Sequence, residues 1–137
     1  MPIPVGLTGE HTLTVTPEIA INFLGVEGGQ VLATPALIMN LEMAARNAVK
    51  PFLRDEFDTV GTDVSVKHLA ATPLGMKVTF RAEVTEVEER RVRFKVEAFD
   101  EKDKISEGTH ERGIIKYRQV RRPAYAETLV HATVTSL

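Results

Sequence analysis

A chain of 137 residues, 43% of them hydrophobic, is long enough to bury one core and is expected to form one domain. Seventeen basic and nineteen acidic residues leave a formal charge of -2, so no field is available to hold a polyanion and nucleic acid is not an expected partner. Cysteine is absent, which removes disulfides, thiolate metal sites and a cysteine nucleophile and fits a cytoplasmic protein.

Residues Met1 to Glu10 carry two prolines and two glycines and read as an irregular lead-in, after which His11 to Val15 alternates like a short strand. Thr16-Pro17-Glu18 can start a brief helical turn, and Gly25 to Gln30 forms a loop, a candidate lid, just before the longest helical segment. That segment runs from Ala33 to Leu53. Thr34 is expected to cap its first turn, Pro35 suits a helix start, and Ala, Leu, Met and Arg fill the interior. Apolar side chains fall on nearly every face from Ala36 to Val49, which predicts a helix covered on more than one side. Glu42 lies inside that apolar run, where a carboxylate loses hydration unless something pairs with it.

Beyond a charged turn at Arg54 to Asp58, residues 59–70 read as a strand with Thr62, Val64, Val66, His68 and Ala70 on one side. Two clean alternations follow, Val78/Phe80/Ala82/Val84 and Val92/Phe94/Val96/Ala98, joined by a hairpin at Val87 to Arg90. A polar turn at Asp100 to Lys104 leads to a last strand over residues 105–117, with bends or bulges expected at Gly108 and Gly113. Residues 119–137 form a C-terminal extension to which the pattern assigns no element. No run approaches the roughly 20 apolar residues of a membrane span. The whole is an α+β pattern, one long helix against one face of an antiparallel meander, with a second copy of the chain as the natural cover for the rest of the helix. A homodimer is expected on that ground.

Three residues are unusual for their setting: Thr34 at a helix start, Glu42 in an apolar helix and His68 on the valine face of a strand. Each alone has a plainer reading, as an N-cap, as an ion pair with Arg46 one turn on, and as a core histidine. Together they supply a hydroxyl, a carboxylate and an imidazole, sufficient for hydrolytic acyl transfer without thiol or metal. His11, His68, His110 and His131 show no ligand-like spacing, so no metal site is expected. Eight residues of helix separate Thr34 from Glu42 by about 12 Å of axial rise. A substrate lies between them, or two protomers each contribute one group. Arg90, Arg91, Arg93 and Lys95 read as the solvated face of a strand, and no phosphate ligand is assigned.

Three segments carry a family resemblance: Ala33-Thr34 with Met39-Asn40-Leu41-Glu42, the run Val66-Lys67-His68-Leu69-Ala70-Ala71-Thr72-Pro73-Leu74-Gly75, and Gly108-Thr109-His110-Glu111-Arg112. In order and spacing they resemble the hot-dog fold thioesterases, and within that superfamily the fluoroacetyl-CoA thioesterase-like group, over roughly residues 10 to 118. The resemblance implies a five- or six-stranded antiparallel sheet wrapped around one central helix, paired into a dimer with acyl-CoA sites at the subunit interface; pairing of dimers into tetramers stays open. It implies Glu42 as nucleophile or general base, His68 as acid/base and Thr34 as a positioning group. Coenzyme A is then part of the substrate, and no cofactor is implied. Residues 23–32 are shorter than the aromatic lid of the family's namesake, so a general short-chain acyl-CoA ester is expected. The rival reading is a non-catalytic acyl-CoA binding module on the same fold. His110, Glu111 and Arg112 are expected to brace a bulged strand.

Overall fold

Alternation of apolar and charged side chains builds the sheet. The computed structural model describes residues 2–117. Along them lie β1 (Thr8–Thr14), the short β2 (Ala20–Ile21) and β3 (Val31–Leu32), and α1 (Thr34–Val49). Four long strands follow: β4 (Phe57–His68), β5 (Lys77–Glu88), β6 (Arg91–Phe99) and β7 (Lys104–Lys116). Five strands form one antiparallel sheet in the order β1-β5-β6-β7-β4, and β2 pairs with β3 alone. The expected extension at 119–137 lies outside the described residues.

The two alternating segments bury Val78, Phe80, Ala82 and Val84 on β5 and Val92, Phe94, Val96 and Ala98 on β6, all on the face that meets α1. The helix presents Leu37, Leu41, Ala44, Ala45, Ala48 and Val49 to them. Each large apolar side chain buried in this way contributes about 1.5–3 kcal/mol. Close approach of helix and edge strand depends on Gly9, because a side chain there would meet the Ala48 backbone nitrogen at 2.6 Å. The described residues cover only this face of the helix. On the far side Met39 is 66% exposed and Met43 37%.

The bulges expected at Gly108 and Gly113 are absent, and β7 runs through both. The register shifts instead at Gly61/Asp63, Val84/Glu86 and Ala98/Phe99. Gly108 serves close packing, since a side chain there would collide with the Ser65 carbonyl oxygen of the neighbouring strand. The shift on β4 also corrects the predicted facing of that strand. It moves Thr62 out of the alternation and sets Gly61 opposite Arg112.

Arg46 ties the helix to the start of β4. Its Nη2 donates to Asp58 Oδ2 at 2.7 Å and its Nε to Asp58 Oδ1 at 3.0 Å, with Lys50 Nζ 3.7 Å from the same carboxylate. This replaces the expected pairing of Arg46 with Glu42. The Arg46 hydrogen bond, against the cost of burial, holds the Asp58 carboxyl down at about 2. Its stabilisation is present above the ordinary carboxylate value near 4 and is lost as pH falls towards 2. After discounting for solvent screening, Asp58→Asn is expected to cost about 1 kcal/mol at neutral pH. Melting temperature measured against pH should show the gap between parent and mutant closing as pH falls across that window, since only the parent loses the Asp58 contribution.

Candidate active site

Thr34 is the first residue of α1, and the N-cap is Ala33, whose carbonyl accepts from the Leu37 N–H at 3.0 Å. The helix start has no side-chain cap. The predicted capping role therefore falls away, and the Thr34 hydroxyl is released for another partner. Its Oγ1 lies 2.8 Å from His68 Nδ1, at the end of β4. His68 is half-buried, and burial pushes its pKa below the ordinary imidazole value while the Ala70 carbonyl pulls the other way. Burial therefore favours the neutral ring. With Nδ1 engaged by the hydroxyl, Nε2 is the free end of the ring: it is buried and, among the described residues, has no hydrogen-bond partner. Ser106, the register partner of His68 on β7, is fully buried, and its Oγ also has no partner among the described residues. Sequence reasoning missed Ser106, because only the strand register brings it to His68.

Glu42 stands elsewhere. Its Oε2 accepts from Arg112 Nη1 at 3.0 Å, with 37% of the Glu42 side chain exposed against 6% for Arg112. Arg112 is in turn anchored by Thr59: its Nε donates to Thr59 Oγ1 at 2.7 Å and its Nη2 to the Thr59 carbonyl at 2.9 Å. His110 Nε2 is 3.2 Å from Arg112 Nη1, and His110 Nδ1 is 2.7 Å from the Asp63 carbonyl oxygen. Burial pulls Arg112 below its usual range, and the Glu42 carboxylate opposes that pull. Gly61 completes this corner, since a side chain at 61 would collide with Glu42 Oε2 and come within 3.3 Å of His110 Cε1.

The expected bracing role of the Gly108 to Arg112 motif is therefore divided by the pleat. His110 and Arg112 face the helix and reach Glu42, whereas Glu111 points the other way, accepting from Thr62 Oγ1 at 2.7 Å and from Arg93 Nε at 3.2 Å. The alternation of residues 110–112 was readable in the sequence. The partner of Glu42 was not, because it lies 70 residues away in the chain.

Of the three sequence-predicted site residues, a single chain joins Thr34 with His68 and places Glu42 at a second cluster. About 12 Å of helix separates Thr34 from Glu42. On the strand side, the seven steps from Gly61 to His68, which include the register shift at Gly61/Asp63, span at most about 23 Å. The first cluster offers a neutral imidazole with one free nitrogen for proton transfer. The second offers a carboxylate aimed by a buried guanidinium, partly open to solvent.

Among the described residues no group of three or more His, Cys, Asp or Glu is placed to hold a metal ion, and no helix is long and apolar enough to cross a membrane.

Residues 15–118 match the family of fluoroacetyl-CoA-specific thioesterases. A fluoroacetyl-CoA thioesterase from Streptantibioticus cattleyicolor is 38% identical over 113 residues, covering 82% of this chain and 77% of that protein. The crystal structure of a variant of the fluoroacetyl-CoA-specific thioesterase, in complex with fluoroacetate and CoA, is 34% identical with a TM-score of 0.78. The match covers 86% of this chain and 99% of that one. A Thermus thermophilus protein of the thioesterase superfamily is 33% identical, with a TM-score of 0.81 and 96% of each chain covered.

Proposed function

The chain belongs to the fluoroacetyl-CoA-specific thioesterase family, with the hot-dog fold and thioester hydrolase activity of that group, and from this we propose that it cleaves a short-chain acyl-CoA ester using Glu42, His68 and Thr34. The observation that carries the assignment of roles is the pairing of the Thr34 hydroxyl with His68 Nδ1, which leaves His68 Nε2 free to exchange a proton. Glu42 attacks the thioester carbonyl and forms an anhydride that water opens, or takes a proton from water as it attacks. In both routes the carbon–sulfur bond breaks and the acid forms with an oxygen from water; CoA leaves as a thiolate, and a proton released by that water, taken up by Glu42 or the His68 imidazole and passed on, restores the thiol. CoA is part of the substrate, and the protein supplies no further cofactor. The cytoplasm, where acyl-CoA esters are available, is the proposed place of action.

The working unit in this proposal is a homodimer with composite sites. Among the described residues β4 is an edge strand with one unpaired side, and Val60 and Val64 on it are 44% and 36% exposed. Antiparallel pairing of β4 with its symmetry copy brings the Gly61 end of one strand towards the His68 end of the other. Glu42 of one protomer then meets Thr34 and His68 of its partner. The loop before α1 carries Phe23, 91% exposed, and Leu24, 77% exposed, apolar groups available to cover a bound acyl chain.

Thiol release from a panel of CoA esters, from acetyl to long-chain and aryl, tests the activity and its acyl preference. Turnover greatest on short acyl groups is the expected result. Saturable binding of CoA esters without turnover on any of them would instead identify a non-catalytic binding module.

A further inference from the structure

His110 belongs to the Gly108 to Arg112 motif, yet the proposed chemistry does not use it. It sits on the helix-facing side of β7, 3% exposed, between Phe94 of β6 and Val64 of β4. Both ring nitrogens are engaged. The partner of Nδ1 is the Asp63 carbonyl oxygen at 2.7 Å, which can only accept, and the partner of Nε2 is Arg112 Nη1 at 3.2 Å, which can only donate. One neutral tautomer satisfies both, with the proton on Nδ1 and the lone pair on Nε2. Stacking on Phe94, with centroids 5.9 Å apart and planes at 27°, holds the ring in that orientation.

The nitrogen of Arg112 that points at His110 is the one that points at Glu42, 3.0 Å away. Its two hydrogens are thereby both committed, one to the imidazole and one to the carboxylate. Without an acceptor at His110, a buried N–H of Arg112 is left unsatisfied and the aim of Nη1 at Glu42 is loosened, although Thr59 still holds Nε and Nη2.

We propose that His110 is a positioning residue for Glu42, acting through Arg112 and only while its imidazole is neutral. This rests on the reading of Glu42 as the reacting carboxylate. Protonation would set an N–H on Nε2 against the N–H of Arg112, and Nη1, with Nε and Nη2 still held by Thr59, would lose the contact that helps aim it at Glu42.

The groups that face the ring are Arg112 from β7, the Glu42 carboxylate from α1, and the carbonyl and carboxylate of Asp63 from β4; Phe94 from β6 carries no charge. Burial and Arg112 push the His110 pKa below its ordinary value, against the Asp63 carbonyl and the two carboxylates. Activity should therefore stay level as pH falls to about 6.5 and decline only at lower pH, as the ring gains its proton. The decline should appear in kcat rather than in KM.

Two substitutions separate positioning from bulk structure. In His110→Asn the amide N–H can still reach the Asp63 carbonyl, but the acceptor for Arg112 is lost. In His110→Gln an amide oxygen replaces the Nε2 acceptor. The Asn variant should lose about tenfold or more in kcat with KM within about twofold, and the Gln variant should keep most of it. In both variants the acid limb should change from that of the parent, because only Glu42 and His68 are left to set it. Nitrogen-15 NMR of the unmutated protein, which depends on no variant folding, should find His110 neutral with its proton on Nδ1. Wild-type kcat and an unchanged acid limb in both variants, or a proton on Nε2, would overturn the proposal. If Glu42→Gln abolishes turnover and His110→Asn does not, only the positioning role fails. If Glu42→Gln keeps full turnover, the reading beneath it fails as well.

Discussion

Glu42→Gln should lower kcat on the best acyl-CoA ester by about 10³-fold, a loss of about 4 kcal/mol of transition-state stabilisation. Glutamine has nearly the same shape, and its amide oxygen can still accept from Arg112 Nη1, which now sits 3.0 Å from Glu42 Oε2. What disappears is the negative charge and the ability to attack carbon or to take a proton from water. The buried Arg112 guanidinium loses its counter-charge but keeps an acceptor in the glutamine oxygen, so a stability loss of about 1–3 kcal/mol is expected. The rate loss should exceed what that destabilisation accounts for, since the protein stays folded. Full hydrolysis of every cleaved ester by a folded Glu42→Gln protein would exclude Glu42 from the chemistry.

Arg112→Met should reduce stability and activity together. The guanidinium is 5% exposed and serves Glu42, His110 and both the hydroxyl and the carbonyl of Thr59. Methionine fills a similar volume and donates nothing. The Thr59 carbonyl and the His110 lone pair are left buried without donors, and the carboxylate loses its counter-charge. Breaking a buried pair from one side costs about 3–5 kcal/mol, and the solvent access of Glu42 places this case near the lower figure. A drop in melting temperature on the order of 10 °C follows. Arg112→Lys restores the charge but cannot span Thr59 and Glu42 with a planar fork, so it should fall between methionine and the parent in both stability and kcat. Equal melting temperatures for all three proteins would contradict the anchoring of Glu42 by Arg112.

Much of this was legible in the sequence. Period-two alternation placed Val78 to Val84 and Val92 to Ala98 on the buried face, because a half-buried strand writes its facing directly into its pattern. Thr34, Glu42 and His68 stood out because polar groups in apolar settings require partners. The partners themselves were not legible. Arg46 is one helical turn from Glu42 and was the nearest cation in sequence, but Asp58 holds it with two hydrogen bonds, and Glu42 turns to Arg112 across the fold. Nor was the shift at Gly61/Asp63 visible. A bulge displaces one residue without altering composition, so Thr62 was given the facing that belongs to Gly61. Gly108 shows the converse, a glycine that marks close strand packing and not a bend.

Placement of Glu42 on one protomer and Thr34 with His68 on the other is tested most directly by subunit complementation. Glu42→Gln and His68→Ala, each inactive alone, are unfolded, mixed in equal amounts and refolded, and thiol release is measured against the parent treated in the same way. With composite sites, half of the dimers are mixed, and each mixed dimer carries one fully intact site and one doubly mutated site. About a quarter of the parent activity should return. If each site drew all three residues from a single chain, every site in the mixture would carry a lesion, and activity no higher than that of either variant alone would contradict the composite site.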